Sequence, residues 1–319
     1  MAAIGIIGCG QNGTEHAREL IALGAEIVAC YDPMHASAEA LAAETGAEIF
    51  ASSDALLASP LLDAVYLTTH HDSHKPLTIA AAKHGKKIFL EKPMAITEAD
   101  CSAIVEAIDH SGIGCFTGFK FRYYPLVQKA SELITSPTLI TAHVLDMRWP
   151  DEGWANDPVR GGGNVISQGC HAIDLVCELA RSLPTSVIAD GGNLHHPALA
   201  IWDTLSLTIR FVSGAIANVV IADAGASPVT SKFSVQLFDG ERSLHLHDRL
   251  TQLSYVNHDR ATSFTDVSEA GYREIDRAFL RWLDDETLPH PDHYAGYRAQ
   301  MILFRAIESA QRGAAVTLA

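Results

Sequence analysis

The stretch that decides the fold is GIIGCGQNGTEHA, residues 5–17. An apolar run, AIGIIG at 3–8, leads into Gly8, Gly10 and Gly13, spaced G-x-G-x-x-G, and a helical pattern follows over 13–24. The spacing alone is a weak signal, because glycines occur in many turns. Directly after a strand and at the opening of a helix it describes a turn built to receive a diphosphate. Gly8 permits the tight turn, Gly10 lets the backbone approach a pyrophosphate, and Gly13 lets helix and strand pack closely. Gln11 and Asn12 fill the variable positions at the helix start, where free N–H groups and the positive dipole end favour an anion. Asp32 ends the next strand, 19 residues after Gly13, where a carboxylate accepts from both ribose hydroxyls and repels a 2′-phosphate. No arginine follows it. The expected cofactor is therefore NAD, with NADP the less favoured alternative.

Working outward, the first 120 residues alternate short apolar runs with helical patterns. Strands are predicted at 25–32, near 47–50, at 63–69, 87–92 and 113–119, and helices at 35–45, 73–85 and 97–111. Continuous apolar strands in a β-α-β order imply a parallel sheet covered by helices on both faces. Beyond about residue 125 the rhythm changes. A long strand is predicted at 138–149 and a helix over 163–181. In TLSLTIRFV (204–212) Leu205, Leu207, Ile209 and Phe211 face one way, while Ser206, Thr208 and Arg210 face the other. KFSVQL and SLHLHD, joined by the turn DGE (239–241), behave alike. Period two with one apolar face means an antiparallel sheet covered on one side. Helices at 271–286 and 293–312 close the chain. The fold class is thus an α/β Rossmann domain over 1–122, followed over 123–319 by an α+β domain with a large, mostly antiparallel open sheet.

Composition excludes some function classes. The chain has 319 residues, 48% of them apolar, and a formal net charge of −15 without any lysine- or arginine-rich block, which argues against nucleic-acid binding. No apolar run reaches the ~18 residues of a membrane span, and the N-terminus lacks a basic signal-peptide region, so a cytoplasmic protein is expected. Six scattered cysteines without a CxxC pair read as reduced, buried thiols. Sixteen histidines raise the question of a metal. His70, His71 and His74, like His245 and His247, lack acidic or thiol partners at a known metal spacing, so no metal is expected.

Three segments carry candidate chemistry. FLEKPMAIT places Glu91, Lys92 and Pro93 at the carboxyl end of the fifth strand, where ligands of open α/β sheets bind. There Lys92 can exchange a substrate hydroxyl proton if burial lowers its pKa, or it can snorkel beside Glu91. GGGNVISQGCHAID (161–174) sets Ser167, His171 and Asp174 at helical spacings of four and three, on one stripe of a single helix. His171 is placed for acid–base work near neutral pH, and Asp174 either orients its imidazole or caps a neighbouring element. The glycines are expected to keep the approach to this helix free of side chains. Arg122 and Tyr124 follow the sixth strand, and Trp149 and Trp154 lie in a polar loop; all four are candidate substrate contacts, the tryptophans as sugar-stacking faces or as core.

Together GIIGCGQNG, TTHHDSH (68–74), EKP (91–93), GFKFRYYP (118–125) and GGGNVISQGCHAID, in this order, resemble the glucose–fructose oxidoreductase / inositol dehydrogenase (Gfo/Idh/MocA) family. The resemblance covers nearly the whole chain. It implies NAD(P) bound by the N-terminal domain and a sugar, cyclitol or small polyol packed against the C-terminal sheet domain. It also implies interconversion of hydroxyl and keto groups, with Lys92 assisting proton transfer and His171 touching the reacting hydroxyl. Thr69, His71 and His74 match residues lining the cofactor pocket, and association through the C-terminal sheet implies a homodimer or homotetramer. Three positions depart from the family pattern. Ser167 stands where an aspartate is usual, Lys120 where asparagine is usual, and His70 where proline is common. Lys120 returns a positive charge to the region and is assigned to the cofactor side. The resulting expectation is an NAD(H)-dependent polyol or sugar oxidoreductase. Two alternatives stay open: an enzyme that holds NAD tightly and uses transient oxidation for elimination or glycoside cleavage, and a non-catalytic dinucleotide-binding sensor.

Overall fold

A computed structural model describes residues 2–224, 231–266, 270–285 and 290–318. The chain begins β1 (Ala3–Ile7), α1 (Gln11–Ala22), β2 (Glu26–Tyr31), α2 (His35–Thr45), β3 (Glu48–Ile49), α3 (Ser53–Leu57), β4 (Ala64–Leu67), α4 (His74–Lys83), β5 (Lys87–Leu90), α5 (Glu98–Ser111) and β6 (Cys115–Thr117). It continues through α6 (Pro125–Leu133), β7 (Leu139–Asp146), α7 (Gly163–Ser167), α8 (Gly169–Ala180), β8 (Pro184–Gly192), β9 (Thr204–Phe211) and β10 (Ile216–Asp223). Then come β11 (Phe233–Phe238), β12 (Arg242–His247), β13 (Gln252–Asn257), β14 (Arg260–Thr265), α9 (Ala270–Asp285), α10 (His293–Arg312) and β15 (Val316–Thr317).

Strands β1–β6 form a parallel sheet in the order β3-β2-β1-β4-β5-β6. The order reverses between β1 and β4, and such a switch point leaves a crevice beyond the strands' carboxyl ends. Strands β1, β4 and β5 are buried along nearly all of their length, which is why they read as continuous apolar runs. The second sheet has nine strands in the order β14-β13-β12-β11-β7-β10-β9-β8-β15, antiparallel at every neighbouring pair except β7 and β10. Its strands alternate buried and open positions, as in β9, where Leu205, Leu207, Ile209 and Phe211 form the buried row.

The chain divides into two compact units, Met1–Lys120 with Gly271–Tyr297, and Phe121–Ala270 with Arg298–Ala319. The sequence reading has one boundary, after residue 122, and so differs over residues 271–297. The reason is the apolar stripe of α9. Ile275, Phe279 and Trp282 are buried, and Phe279 packs against Tyr66, Phe89 and Phe116 with ring centroids 4.9, 5.6 and 5.8 Å away. A Cβ on Gly114 would lie 2.1 Å from the Trp282 ring, so the chain beside β6 is shaped to receive that indole. Thr117 then donates from its N–H to the Pro291 carbonyl and from its hydroxyl to the Asp292 carbonyl, both at 2.8 Å. The predicted end of this helix at residue 286 lies outside the described residues.

Two further corrections follow from backbone geometry. The helix predicted over 163–181 is two helices, α7 and α8, separated at Gln168 (φ −102°). The helix predicted over 73–85 is preceded by a separate 3₁₀ turn, His71–Ser73. All six cysteines are free and buried. Among the described residues no helix is long and apolar enough to cross a membrane.

Candidate functional site

The glycine turn joins β1 to α1 at the switch point. Gly8 has φ +98°, and a Cβ there would lie 2.7 Å from the Thr68 backbone, so both conformation and space require glycine. A Cβ on Gly13 would lie 2.1 Å from the Gly8 carbonyl oxygen. At Gly10 the same atom would meet nothing within 4 Å. The turn is closed on its inner side and open over Gly10, the cradle a diphosphate needs. The N–H groups of Gln11, Asn12 and Gly13 open a 12-residue helix without a side-chain cap, so they and the helix dipole remain available to an anion. Asp32 accepts from the Cys9 N–H and the Met34 N–H, each at 2.8 Å. Its carboxylate therefore stands at the turn, at the end of β2.

The corner after β5 holds Glu91, Lys92 and Pro93, with a cis Lys92–Pro93 peptide. Glu91 is buried; one carboxylate oxygen accepts from the Lys92 N–H at 2.9 Å, and the other lies 3.2 Å from His16 Nε2. His16 Nδ1 lies 2.7 Å from Asp276 of α9, which also accepts from the Tyr66 hydroxyl at 3.1 Å. With a carboxyl group on each ring nitrogen, the doubly protonated, charged ring is the form this arrangement favours. Burial alone would lower its pKa, but Asp276 and Glu91 outweigh it and hold it up at about 9. Burial pushes the Asp276 carboxyl up. For Glu91 burial acts in the same sense but loses to the His16 hydrogen bond and to the charges of Lys92, His16 and Lys120, which hold it below the usual range. Gly118 leaves room for this carboxylate, since a Cβ there would lie 3.1 Å from it.

The Lys92 ammonium is half-buried and makes no hydrogen bond or ion pair with any described residue. Lys120 has its ammonium 3.7 Å from the centre of the Tyr272 ring. Burial lowers its pKa to about 8, against the opposing charges of Glu91, Asp276 and Glu15. Thr69 is half-buried beside the turn, where its hydroxyl accepts from Ser73 at 2.5 Å, and His71 is buried with its ring 5.8 Å from that of His74. His74 is the third residue that the resemblance places at the cofactor pocket. It is fully buried, with Nδ1 2.8 Å from the Pro93 carbonyl and Nε2 3.2 Å from that of Thr69. It is a brace that ties the chain after β4 to the corner after β5.

The second unit holds the remaining predicted residues. Ser167, buried, ends α7, whereas His171 and Asp174 lie on α8, so the single stripe is interrupted at Gln168. His171 is buried with its ring 4.5 Å from Phe121. Asp174 receives the Arg122 guanidinium at both oxygens, at 2.9 and 2.5 Å, and Glu178 takes a third contact at 2.6 Å. Arg122 is therefore buried in an ion pair rather than extended as a substrate grip, and Asp174 anchors the segment after β6 to α8. Tyr124 packs edge-on against Phe121. Trp149 is pinned by its backbone N–H to Asp223 and by its indole N–H to Asp146, while Trp154 is 39% exposed. The glycines before α7 do not serve clearance. A Cβ on Gly161 would strike the Ala155 carbonyl at 2.3 Å, and Gly162 and Gly163 adopt φ of +78° and +81°.

Sequence reasoning missed His16, Asp276, Tyr272 and Asn164. Asn164 is fully buried, and both of its amide atoms lack a partner among the described residues. His16 sits in the quoted glycine stretch itself, one turn into the helix; the missing signal was its partner 260 residues away. Among the described residues no group of three or more His, Cys, Asp and Glu is arranged to hold a metal ion.

A glycine turn open over Gly10 at a sheet's switch point, a carboxylate at the end of β2 and a lysine corner after β5 are the features of a Rossmann dinucleotide-binding fold. Residues 2–119 match the oxidoreductase family with an NAD-binding Rossmann fold, and residues 129–237 match the GFO/IDH/MocA C-terminal domain. The chain belongs to this Gfo/Idh/MocA family. It is 32% identical over 232 residues to the 2,7-anhydro-N-acetylneuraminate hydratase of Escherichia coli, covering 69% of this chain and 61% of that protein. It is 28% identical over 295 residues to a D-xylose 1-dehydrogenase (NADP(+)) of Haloferax volcanii, covering 89% of each. Two curated relatives, the hydratase among them, are spanned over only 55 to 61% of their own length. An NAD binding oxidoreductase from Klebsiella pneumoniae has the same fold, with a TM-score of 0.89 at 18% identity, covering 100% of this chain and 99% of that one.

Proposed function

We propose that the protein is an NAD(H)-dependent oxidoreductase that interconverts hydroxyl and keto groups on a sugar, cyclitol or related polyol. The observation that carries this reading is the glycine turn, open at Gly10 and closed at Gly13, with the Lys92 corner beyond the same sheet. When bound, the dinucleotide supplies the hydride donor or acceptor. Gly8, Gly10, Gln11, Asn12 and Gly13 would hold its diphosphate, and Asp32 its adenosine ribose, which favours NAD over NADP. Lys92, whose ammonium has no partner among the described residues, exchanges the proton of the reacting hydroxyl. For the second unit, the family resemblance supports acid–base work by His171, and Ser167 can contribute one hydrogen bond but no charge. We further propose a homo-oligomer formed through the open face of the nine-stranded sheet.

Purified protein, supplied with NAD and a panel of cyclitols, sugars and polyols, is expected to produce NADH with at least one of them. Lys92→Met should lower kcat by about 10²–10⁴-fold while leaving NAD affinity within about twofold. A Lys92→Met protein with the wild-type kcat would overturn the assignment. The hydratase name of one relative favours a second reading, in which oxidation is transient and the dinucleotide stays bound. Substrate conversion without net NADH would select it.

A further inference from the structure

We propose that Lys120 and Tyr272 form a clamp for the diphosphate of the bound dinucleotide. Lys120 supplies the positive charge, and Tyr272, on the returning helix α9, fixes that charge beside the glycine turn. This rests on the dinucleotide-binding reading and adds two side chains to it, one of them 259 residues beyond Gly13 in sequence.

The argument starts from an ammonium without a hydrogen-bond or ion-pair partner among the described residues. Lys120 Nζ lies 3.7 Å from the centre of the Tyr272 ring, close enough for a cation–π contact. The Tyr272 hydroxyl donates to the Asn12 side-chain carbonyl at 3.1 Å, and Asn12 is the second residue of α1. One aromatic ring therefore joins the cation to the helix end whose N–H groups await an anion. The charged groups near the ammonium are Glu91 and Lys92 after β5, Asp276 on α9 and Glu15 on α1. Glu91 is engaged by His16 and the Lys92 N–H, and Asp276 by His16 and Tyr66. Glu15 lies 3.5 Å from Arg18. None of these carboxylates forms an ion pair with the ammonium, although Asp276 Oδ2 has no hydrogen-bond partner among the described residues, and a desolvated ammonium left without an ion pair is held at a cost that an incoming anion relieves. A diphosphate lying on Gly10 is such an anion. A carboxylate or phosphate on the substrate has the same chemistry, but the Tyr272–Asn12 link points to the glycine turn.

The proposal gives dinucleotide affinity a pH dependence. Lys120 must be protonated to act, and burial already lowers its pKa to about 8, with opposing help from Glu91. Affinity should hold at pH 7 and fall toward pH 10, with the midpoint displaced upward by the bound anion.

Calorimetric titration of the full chain with NAD and with ADP-ribose tests this without turnover. Lys120→Met should weaken both by about tenfold at pH 7 and flatten the pH dependence. Lys120→Arg should restore affinity and keep it to higher pH, and Tyr272→Ala should weaken it in the same direction. Wild-type affinity in Lys120→Met, with or without a folding defect seen by circular dichroism, overturns the clamp and leaves the dinucleotide reading standing. Unchanged dinucleotide affinity combined with selective loss of binding to anionic sugars such as aldonates moves the cation to the substrate and also overturns it. A wild-type chain that binds neither ligand overturns both readings.

Discussion

Gly10 and Gly13 differ by three positions, and the structure separates their roles sharply enough to test with one methyl group at each. In Gly13→Ala the new Cβ lies 2.1 Å from the Gly8 carbonyl oxygen and 2.9 Å from Thr68 Oγ1. Reaching an ordinary separation of about 3.4 Å requires a shift of roughly 1.3 Å between α1 and the end of β1. The displaced carbonyl also accepts from the Thr68 hydroxyl at 2.7 Å, so that hydrogen bond is disturbed as well. Overpacking costs about 1–3 kcal/mol and the hydrogen bond about 1, offset by about 0.5–1 from alanine's better helix propensity. The net loss of about 1–3 kcal/mol should lower Tm by roughly 3–9 °C. Gly10→Ala should behave oppositely. Gly10 has φ −73°, which any residue adopts, and its Cβ would touch nothing within 4 Å, so stability should stay within about 0.5 kcal/mol. The methyl would occupy the backbone approach to the diphosphate, and affinity for ADP-ribose should fall more than about tenfold. Thermal melts and calorimetry on the two variants complete the assay. Undiminished ADP-ribose binding by Gly10→Ala, or an undisturbed melt for Gly13→Ala, would refute the reasoning about the turn.

The buried ion pairs carry two further predictions. His16→Gln leaves Asp276 and Glu91 without their shared cation and should cost about 3–5 kcal/mol by urea denaturation. The His16 pKa is raised from 6.5 to about 9, so its contribution is complete below pH 6.5 and is lost as pH rises through about 9. Wild-type stability should therefore drop by about 3 kcal/mol between pH 6.5 and 9.5, and the drop should be absent in His16→Gln. A wild-type melt independent of pH across that range would show that His16 is neutral. Arg122→Met strands the buried Asp174 and should cost about 3–5 kcal/mol, while Arg122→Lys, unable to fork onto both carboxylate oxygens, should still cost about 1–3. Equal stability of all three proteins by urea midpoint would remove the ion pair from the account of this segment.

The glycine turn was legible because its signal is local. Strand, turn, helix and the Asp32 strand end all lie within 32 residues, and each position has one backbone or packing reason. The alternating strands were legible for the same reason, since period two is written along each strand. The interruption at Gln168 was not legible. Apolar spacing runs through it, and what separates α7 from α8 includes tertiary contact, as a Cβ on Gly169 would lie 2.8 Å from Ile221. The roles of Asp174 and Arg122 were hidden for a related reason. Polar residues 52 positions apart gave no hint that they pair, and each was read alone, Arg122 as a substrate contact and Asp174 as a group that orients His171 or caps a neighbouring element. The α9 segment was seen as a helix, but its buried Asp276 lies on the same face as Phe279 and could not be assigned to the first sheet without coordinates.

The charge balance around the corner after β5 bears on what the site can accept. Net charge over the chain is −15, which by itself argues against an anionic ligand. Locally the sign is different. Glu91 and Asp276 share the His16 imidazolium between them, at 3.2 and 2.7 Å, so their charge is taken up within the buried network. Lys92 and Lys120 have no ion-pair partner among the described residues, and the α1 helix end adds a partial positive charge. The acidic residues that make the total negative include exposed groups such as Glu26 and Glu48, whose charge is screened over about a Debye length. On the proposed reading, a dianionic diphosphate at the glycine turn would meet a positive field at short range within a negative protein. The buried carboxylates then have a purpose beyond packing. Through Glu91 they hold the backbone of Lys92, and by engaging His16 they leave the Lys92 and Lys120 ammonium groups without an ion pair among the described residues.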